Sequence, residues 1–211
     1  MALPVAMAMA TMVAFVGGCT SSKSTDGKSG SAPSATPSPV SFPSSPPDAA
    51  QCRGTVLDHR DIKHPDLGTV RVFLVRRTDS NPLPGCVASV TGSGQVLKTL
   101  DVEVYENELK FADPASDATK NTFVIYNPGR YDGVLILVPA KDGFEDIGWT
   151  DQENHYLGGK LAYYHARLAG PGGDSRYTIV RSANSCDPSC AEGATSKVTL
   201  HWNGRAYLPT E

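Results

Sequence analysis

Thr122-Phe123-Val124-Ile125-Tyr126, then Asn127-Pro128-Gly129-Arg130-Tyr131-Asp132, then Gly133-Val134-Leu135-Ile136-Leu137-Val138: this stretch decides the fold. Both flanks are short runs of β-branched, aromatic and aliphatic residues bounded by turn residues, which is the signature of buried strands. Pro128 presets the first central φ of a type II turn and Gly129 supplies the positive second one. The two runs are expected to pair as the central hairpin.

Working outward, the same period recurs. Val70, Val72, Leu74 and Arg76 alternate with Arg71, Phe73, Val75 and Arg77, which predicts a strand apolar on both faces until the arginines end it. Val96, Leu100, Val102 and Val104 predict another strand or a bulged pair, after a turn at Gly92-Ser93-Gly94. Leu161-Ala162-Tyr163-Tyr164-His165-Ala166-Arg167-Leu168 reads as a strand or a short helix, and Gly170-Pro171-Gly172-Gly173 then forces a loop. Tyr177-Thr178-Ile179-Val180 reads as a strand. Val198-Thr199-Leu200-His201-Trp202 faces Arg205-Ala206-Tyr207-Leu208 across Asn203-Gly204, a pair that tolerates positive φ at both central positions of a hairpin. No long amphipathic helical stretch competes. The expected fold is all-β or β-rich α+β, with antiparallel sheets forming a compact sandwich or barrel-like domain over residues 51–211.

The N-terminal quarter is of another kind. Met1 to Phe15 is uncharged and apolar, and the small residues Val16-Gly17-Gly18 lead directly to Cys19. This arrangement resembles the lipobox of a bacterial lipoprotein. The resemblance implies a signal peptide over 1–18, cleavage before Cys19, and a diacylglyceryl group on the Cys19 thiol that anchors the chain in the bilayer, facing the extracytoplasmic side. One departure is that the first charged side chain is Lys23, so the leader lacks its usual basic start. Gly17-Gly18 also interrupts the run short of the roughly 20 apolar residues a spanning helix needs. From Thr20 to Ala50 the composition turns to Ser, Pro, Thr, Gly and Ala, with Val40 and Phe42 the only large apolar side chains. Such a segment cannot bury enough surface to offset its ordering entropy, and is expected to act as a flexible tether with an r.m.s. reach of roughly 30 Å. Gly27-Lys28-Ser29 lacks the leading Gly and the flanking strand and helix of a phosphate loop.

The formal net charge is −3 and the pI about 5.9, with Lys and Arg scattered rather than striped. Neither a nucleic-acid surface nor an electrostatic membrane dock is implied, and a monomer is expected. Setting Cys19 aside leaves Cys52, Cys86, Cys186 and Cys190, an even number that suits an oxidising compartment. Four cysteines allow three pairings. Proximity favours Cys186 with Cys190 and Cys52 with Cys86. A zinc site is the alternative, but the Cys-x-x-x-Cys pair has no matching His pair nearby.

Catalytic motifs are scarce. His59-Arg60-Asp61 spells a kinase tripeptide without any of its companions. Asp58, His59, Asp61, His64 and Asp66 supply metal-binding side chains in a spacing that reads as a solvated loop. No Gly-x-Ser-x-Gly elbow occurs, and His155, His165 and His201 stand alone. Asp113, Asp117, Thr119 and Asn121 place oxygen side chains at short intervals before the Phe123 strand, a pattern that can encircle Ca. Residues 113–144 thereby resemble a degenerate loop of FG-GAP or VCBS-type modules, which implies calcium at Asp113, Asp117, Thr119 and Asn121. The Gly expected after Asn121 is absent, and Lys120 adds repulsion, so an Asx-rich turn capping a hairpin is the favoured reading and no cofactor is expected.

The lipobox, the Ser/Pro tether, the modest β-rich domain and the terminal Val-Thr-Leu-His-Trp-Asn-Gly-Arg-Ala-Tyr hairpin together resemble small exported lipoproteins of actinobacteria, including the LppP/LprE type. That resemblance implies location and architecture and carries no site residues. Two functions of different class follow. One is a non-catalytic envelope module, binding or structural, meeting an envelope protein or glycan through aromatics such as Tyr126, Tyr131, Phe144, Trp149, Tyr156, Tyr163 and Tyr164; Phe144, Tyr126 and Trp149 are expected in the core. The other is an envelope hydrolase assembling Asp132, Asp142, Glu145, Asp146 and His155 at one rim.

Overall fold

Twelve strands, with no helix among the described residues, form three four-stranded antiparallel meanders. The first sheet holds β1 (Gly54–His64), β2 (Gly68–Arg77), β3 (Pro84–Thr91) and β4 (Val96–Glu103). The second holds β5 (Leu109–Ser116), β6 (Thr122–Tyr126), β7 (Gly133–Ala140) and β8 (Gly143–Asp146). The third holds β9 (Tyr163–Ala169), β10 (Thr178–Asn184), β11 (Thr195–Trp202) and β12 (Tyr207–Pro209). The computed structural model describes residues 41–45, 52–78, 84–129, 132–148 and 163–209.

The central hairpin forms as its sequence predicts, with Thr122 opposite Leu137 and Tyr126 opposite Gly133. Gly129 takes a φ of 118°, and the Asn127 side chain accepts the Gly129 N–H at 2.6 Å. Why both runs are apolar at consecutive positions follows from what lies on each face. Val124, Leu135 and Leu137 point into a core shared with Val70, Val72 and Leu74 of β2 and Val87 of β3. Phe123, Val134 and Ile136 point the other way, into a core shared with Ile179, Leu200 and Tyr207 of the third sheet. A strand alternates its side chains between faces, so a sheet covered on both sides must be apolar throughout. The second sheet is therefore the middle layer of three. Each fully buried Val, Leu, Ile or Phe contributes roughly 1.5–3 kcal/mol relative to exposure.

β2 obeys the same rule. Val70, Val72 and Leu74 face the second sheet, while Phe73 and Val75 join Cys52, Cys86, Ala88 and Val90 in a smaller cluster on the outer face. The Cys52–Cys86 disulfide lies in that cluster, and Cys186–Cys190 closes a short loop after β10. Both pairings are those that proximity favours.

Several expectations need correction. Asp58 to His64, read as a solvated loop, are part of β1. The strand is polar because it is an edge strand whose outer face meets water and ion partners, with a bulge between Val56 and Asp58. The stretch open to either a strand or a short helix is strand β9 where it is described, Tyr163 to Ala169. At the last hairpin the positive φ falls on Gly204 alone, at 104°, and Asn203 pairs with Ala206. The two-residue loop is thus Gly204-Arg205, with Gly first, and Asn203 Oδ1 caps it by accepting the N–H groups of Arg205 and Ala206, each at 2.9 Å. Phe42 and Pro43, tether by composition, lie against β2. The Arg71 guanidinium stacks 4.9 Å from the Phe42 ring centroid and donates to the Pro43 carbonyl at 3.0 Å.

Candidate functional site

Cys19, the leader and most of the tether lie outside the described residues, as do His155, Trp149, Tyr131 and Tyr156. Among the described residues no helix is long and apolar enough to cross a membrane. Phe144 is core, 2% exposed, and Tyr126 is partly buried against the same cluster.

The polar sequence cluster of β1 resolves into structural pairs. Arg71 grips Asp61 with a two-pronged fork, Nε and Nη2 donating at 2.6 and 2.9 Å. That hydrogen-bonded guanidinium holds the Asp61 carboxyl below its ordinary value. Asp58 accepts from Arg60 at 2.6 Å. His64 is buried, and its Nε2 contacts the Gly143 carbonyl at 2.9 Å while Nδ1 accepts the N–H groups of Asp66 and Leu67, each at 3.1 Å. These contacts assign the proton to Nε2. The ring meets Phe144 edge-on, 5.3 Å between centroids. His64 thus ties the β1–β2 turn to the β7–β8 turn.

The calcium candidates form a turn. Asp117 Oδ1 accepts from the Thr119 backbone N–H at 2.8 Å and from the Thr119 hydroxyl, and Oδ2 accepts the Tyr177 N–H at 2.8 Å. Thr119 Oγ1 accepts the Asn121 N–H at 3.2 Å. Asn121 is buried, Asp113 is exposed on β5, and Lys120 occupies the left-handed region at φ 71°. Both Asp117 oxygens serve N–H and O–H donors, as an Asx-rich cap requires. These residues cap the β5–β6 hairpin, and Asp117 binds it to the strand entering β10. No group of three or more His, Cys, Asp or Glu among the described residues is placed to hold a metal.

The proposed hydrolase acids fall at two ends of β7. Asp132 stands just before β7 and Asp142 just after it, roughly 25–30 Å apart at strand rise. Glu145 pairs with Lys98 of the first sheet at 3.5 Å. Asp146 Oδ1 accepts the N–H groups of Ile136 and Gly148 at 2.9 and 3.0 Å. Asp132 thus stands at the opposite end of β7 from Asp142 and the β8 carboxylates.

What the fold does build is an open cleft of about 260 Å³ where the second and third sheets meet. Glu108 precedes β5 and Lys110 lies at its start, Tyr126 ends β6 and Asn127 follows it, Asp132 comes just before β7, and Arg167 from β9. Ile125, Ala166 and Leu168 supply its apolar wall. The junction is made by main chain: the Ala166 N–H donates to the Asp132 carbonyl at 2.8 Å. Side chains then brace it. Asp132 accepts from Asn127 Nδ2 at 3.1 Å through one carboxylate oxygen and from Arg167 Nε at 3.0 Å through the other. The Tyr126 ring lies across the Gly133 backbone, with Cζ only 2.2 Å from where a Cβ would stand, so a side chain at this position would push the ring aside. His165, two residues from Arg167 on the same strand face, has its pKa lowered by burial and by the Arg167 charge.

Near the cleft, on the β4–β5 connection, stands Tyr105, 58% exposed and one of the few large hydrophobic side chains left in solvent among the described residues. Its N–H donates to the Asn127 carbonyl at 2.7 Å and its ring packs toward Gly129, in the turn that also supplies Asn127 and Asp132. Sequence reading singled out Asp132 and Tyr126 and missed Tyr105, Glu108, Lys110, Asn127 and Arg167 as site residues. A scan against protein-family models, a search of curated proteins and a search of solved structures each found no match.

Proposed function

We propose that this chain is an exported lipoprotein, held at the extracytoplasmic face of a membrane by acyl groups on Cys19, whose β domain is a non-catalytic envelope binding module. The observation that carries the binding role is the open cleft between β6 and β9, lined among the described residues by Glu108, Lys110, Asp132 and Arg167 beside Tyr126 and Asn127. Pockets that hold small polar ligands combine an apolar wall with a few convergent polar groups, and this cleft has both. The two disulfides, Cys52–Cys86 and Cys186–Cys190, support an oxidising compartment. The tether supports a domain standing clear of the headgroups.

Two measurements test the reading. Mass spectrometry of the mature protein should find a diacylglyceryl adduct on an N-terminal Cys19; an unmodified chain starting at Met1 overturns the anchoring. A photo-crosslinking side chain placed at Lys110 should form envelope adducts in cells, whereas the same group at Asp101, exposed on the first sheet, should not. Equal yields at the two positions, or none at Lys110, overturn the cleft as the binding site.

A further inference from the structure

Resting on the binding-module reading, we infer that the ligand class of the β6–β9 cleft is a neutral sugar, one ring of an envelope glycan. Among the described residues that line the cleft, Glu108 and Asp132 carry two negative charges and Lys110 and Arg167 two positive ones, which sum to zero. A site for a phosphate or carboxylate ligand gathers cations, and one for an amine gathers anions. This site does neither.

Instead it alternates hydrogen-bond acceptors and donors over a short span. Asp132 is the hub, held between the Asn127 amide and the Arg167 guanidinium at 3.1 and 3.0 Å. An ionised carboxylate has about four lone-pair positions, and these two bonds use two of them. Arg167 binds Asp132 through Nε, and its side chain is 66% exposed. A sugar hydroxyl both donates and accepts, so vicinal hydroxyls match an adjacent carboxylate and guanidinium in a way that a purely anionic or cationic ligand does not. The pairing also holds both groups in place before binding, which lowers the ordering cost.

The second requirement is an apolar surface for the ring's C–H face. Tyr126, Ile125 and Leu168 supply it on the cleft wall, and Tyr105, 58% exposed on the β4–β5 connection, extends it from beside the turn that carries Asn127 and Asp132. A Tyr offers a large rigid contact area at low entropy cost. The volume of about 260 Å³ is below the usual range for drug-sized ligands and suits roughly one sugar ring. A ligand that small, in an open cleft, binds at millimolar Kd, so affinity in the envelope has to come from many copies along a polymer.

The test is an amide chemical-shift titration of the full chain in detergent. Its probes are methyl glycosides of glucose, mannose, galactose and arabinose, with glucuronate and glucosamine as charged controls. Saturable shifts at Asn127, Asp132 and Ala166 to Leu168 with at least one neutral glycoside are expected. Tyr105→Ala should weaken that binding at least threefold, and Arg167→Ala at least tenfold, with the remaining spectrum unchanged as the control for folding. No saturable shift from any neutral glycoside up to about 50 mM, well above the expected Kd, overturns the inference. So does equal or tighter binding of either charged control. If the sugars fail while cross-linking at Lys110 yields peptide adducts, the binding module stands and the glycan class falls; if both fail, both fall.

Discussion

Replacing Phe123 tests the layered core directly, because its neighbour Val124 serves the opposite face. Phe123 is fully buried between edge-on rings, 4.9 Å from Tyr177 at 64° and 6.2 Å from Tyr207 at 81°. Phe123→Ala should cost about 3–5 kcal/mol, combining lost transfer energy with the cavity left behind. Of this, about 0.5–1.5 kcal/mol belongs to each aromatic pair beyond area burial. Val124→Ala should cost about 2 kcal/mol through the core shared with the first sheet. A double-mutant cycle separates the faces. Phe123 and Tyr177 should couple by about 0.5–1.5 kcal/mol, whereas Val124 and Tyr177 should add within about 0.5 kcal/mol. The assay is urea unfolding followed by intrinsic fluorescence with both disulfides intact. Coupling of Val124 to Tyr177 as large as that of Phe123 would show that the two residues do not face different sheets, and the three-layer account would fail.

Removing the Cys52–Cys86 bond, which spans 34 residues, should cost about 4 kcal/mol on the chain-entropy estimate, against about 2 kcal/mol for Cys186–Cys190 spanning 4; single and paired Cys→Ser variants in urea check the ratio, and equal losses contradict it. His64→Ala should destabilise by about 3 kcal/mol, since it breaks the contact to the Gly143 carbonyl, leaves the Asp66 and Leu67 N–H groups without their acceptor, and deletes the edge contact with Phe144; a loss under about 1 kcal/mol in the same assay refutes the tie. The Asp61 pKa is depressed in the fold by the Arg71 fork, so the pair stabilises at pH values above the ordinary carboxylate pKa and that contribution disappears as pH falls through the folded value. Wild type and Asp61→Asn should therefore differ in urea midpoint at neutral pH and converge below about pH 4, with a gap that widens on acidification counting against the fork.

The strands legible in the sequence are those buried on both faces. Phe123 to Ile125, Val134 to Val138 and Val72 to Val75 are apolar at consecutive positions because each lies between two layers, or between a layer and the disulfide cluster. Edge strands obey weaker rules. β1 reads Asp58-His59-Arg60-Asp61, and only its pairing to β2, Asp61 opposite Arg71, makes it a strand. β5 hides behind Pro114, which an edge strand tolerates and a central one would not, and the ladder is irregular between Phe111 and Ser116. β8 is four residues long and has no period to read. A local rule also failed at Asn203-Gly204: the dipeptide signalled the hairpin correctly, but its side chain caps a loop that begins one residue later.

The cleft was less legible than the fold for a reason that lies in how it is joined. Asn127 and Asp132 come from the central hairpin, and Arg167 from a strand 35 residues beyond Asp132. What sets them together is the Ala166 N–H on the Asp132 carbonyl, a main-chain contact that any residue could make at either position. Sequence patterns record which side chains a strand buries, and they carry no record of where two sheets meet end to edge. One trace of the site is still local. Gly133 opens a β-prone run where a β-branched residue would suit the strand better, and its missing Cβ leaves room for the Tyr126 ring that crosses it. Gly133→Ala should therefore displace the Tyr126 ring and disturb the cleft wall while leaving the register of β6 on β7 intact. Amide shifts confined to residues around Tyr126 and Asp132 would bear this out, and a general loss of dispersion would mean that the glycine supports the hairpin itself.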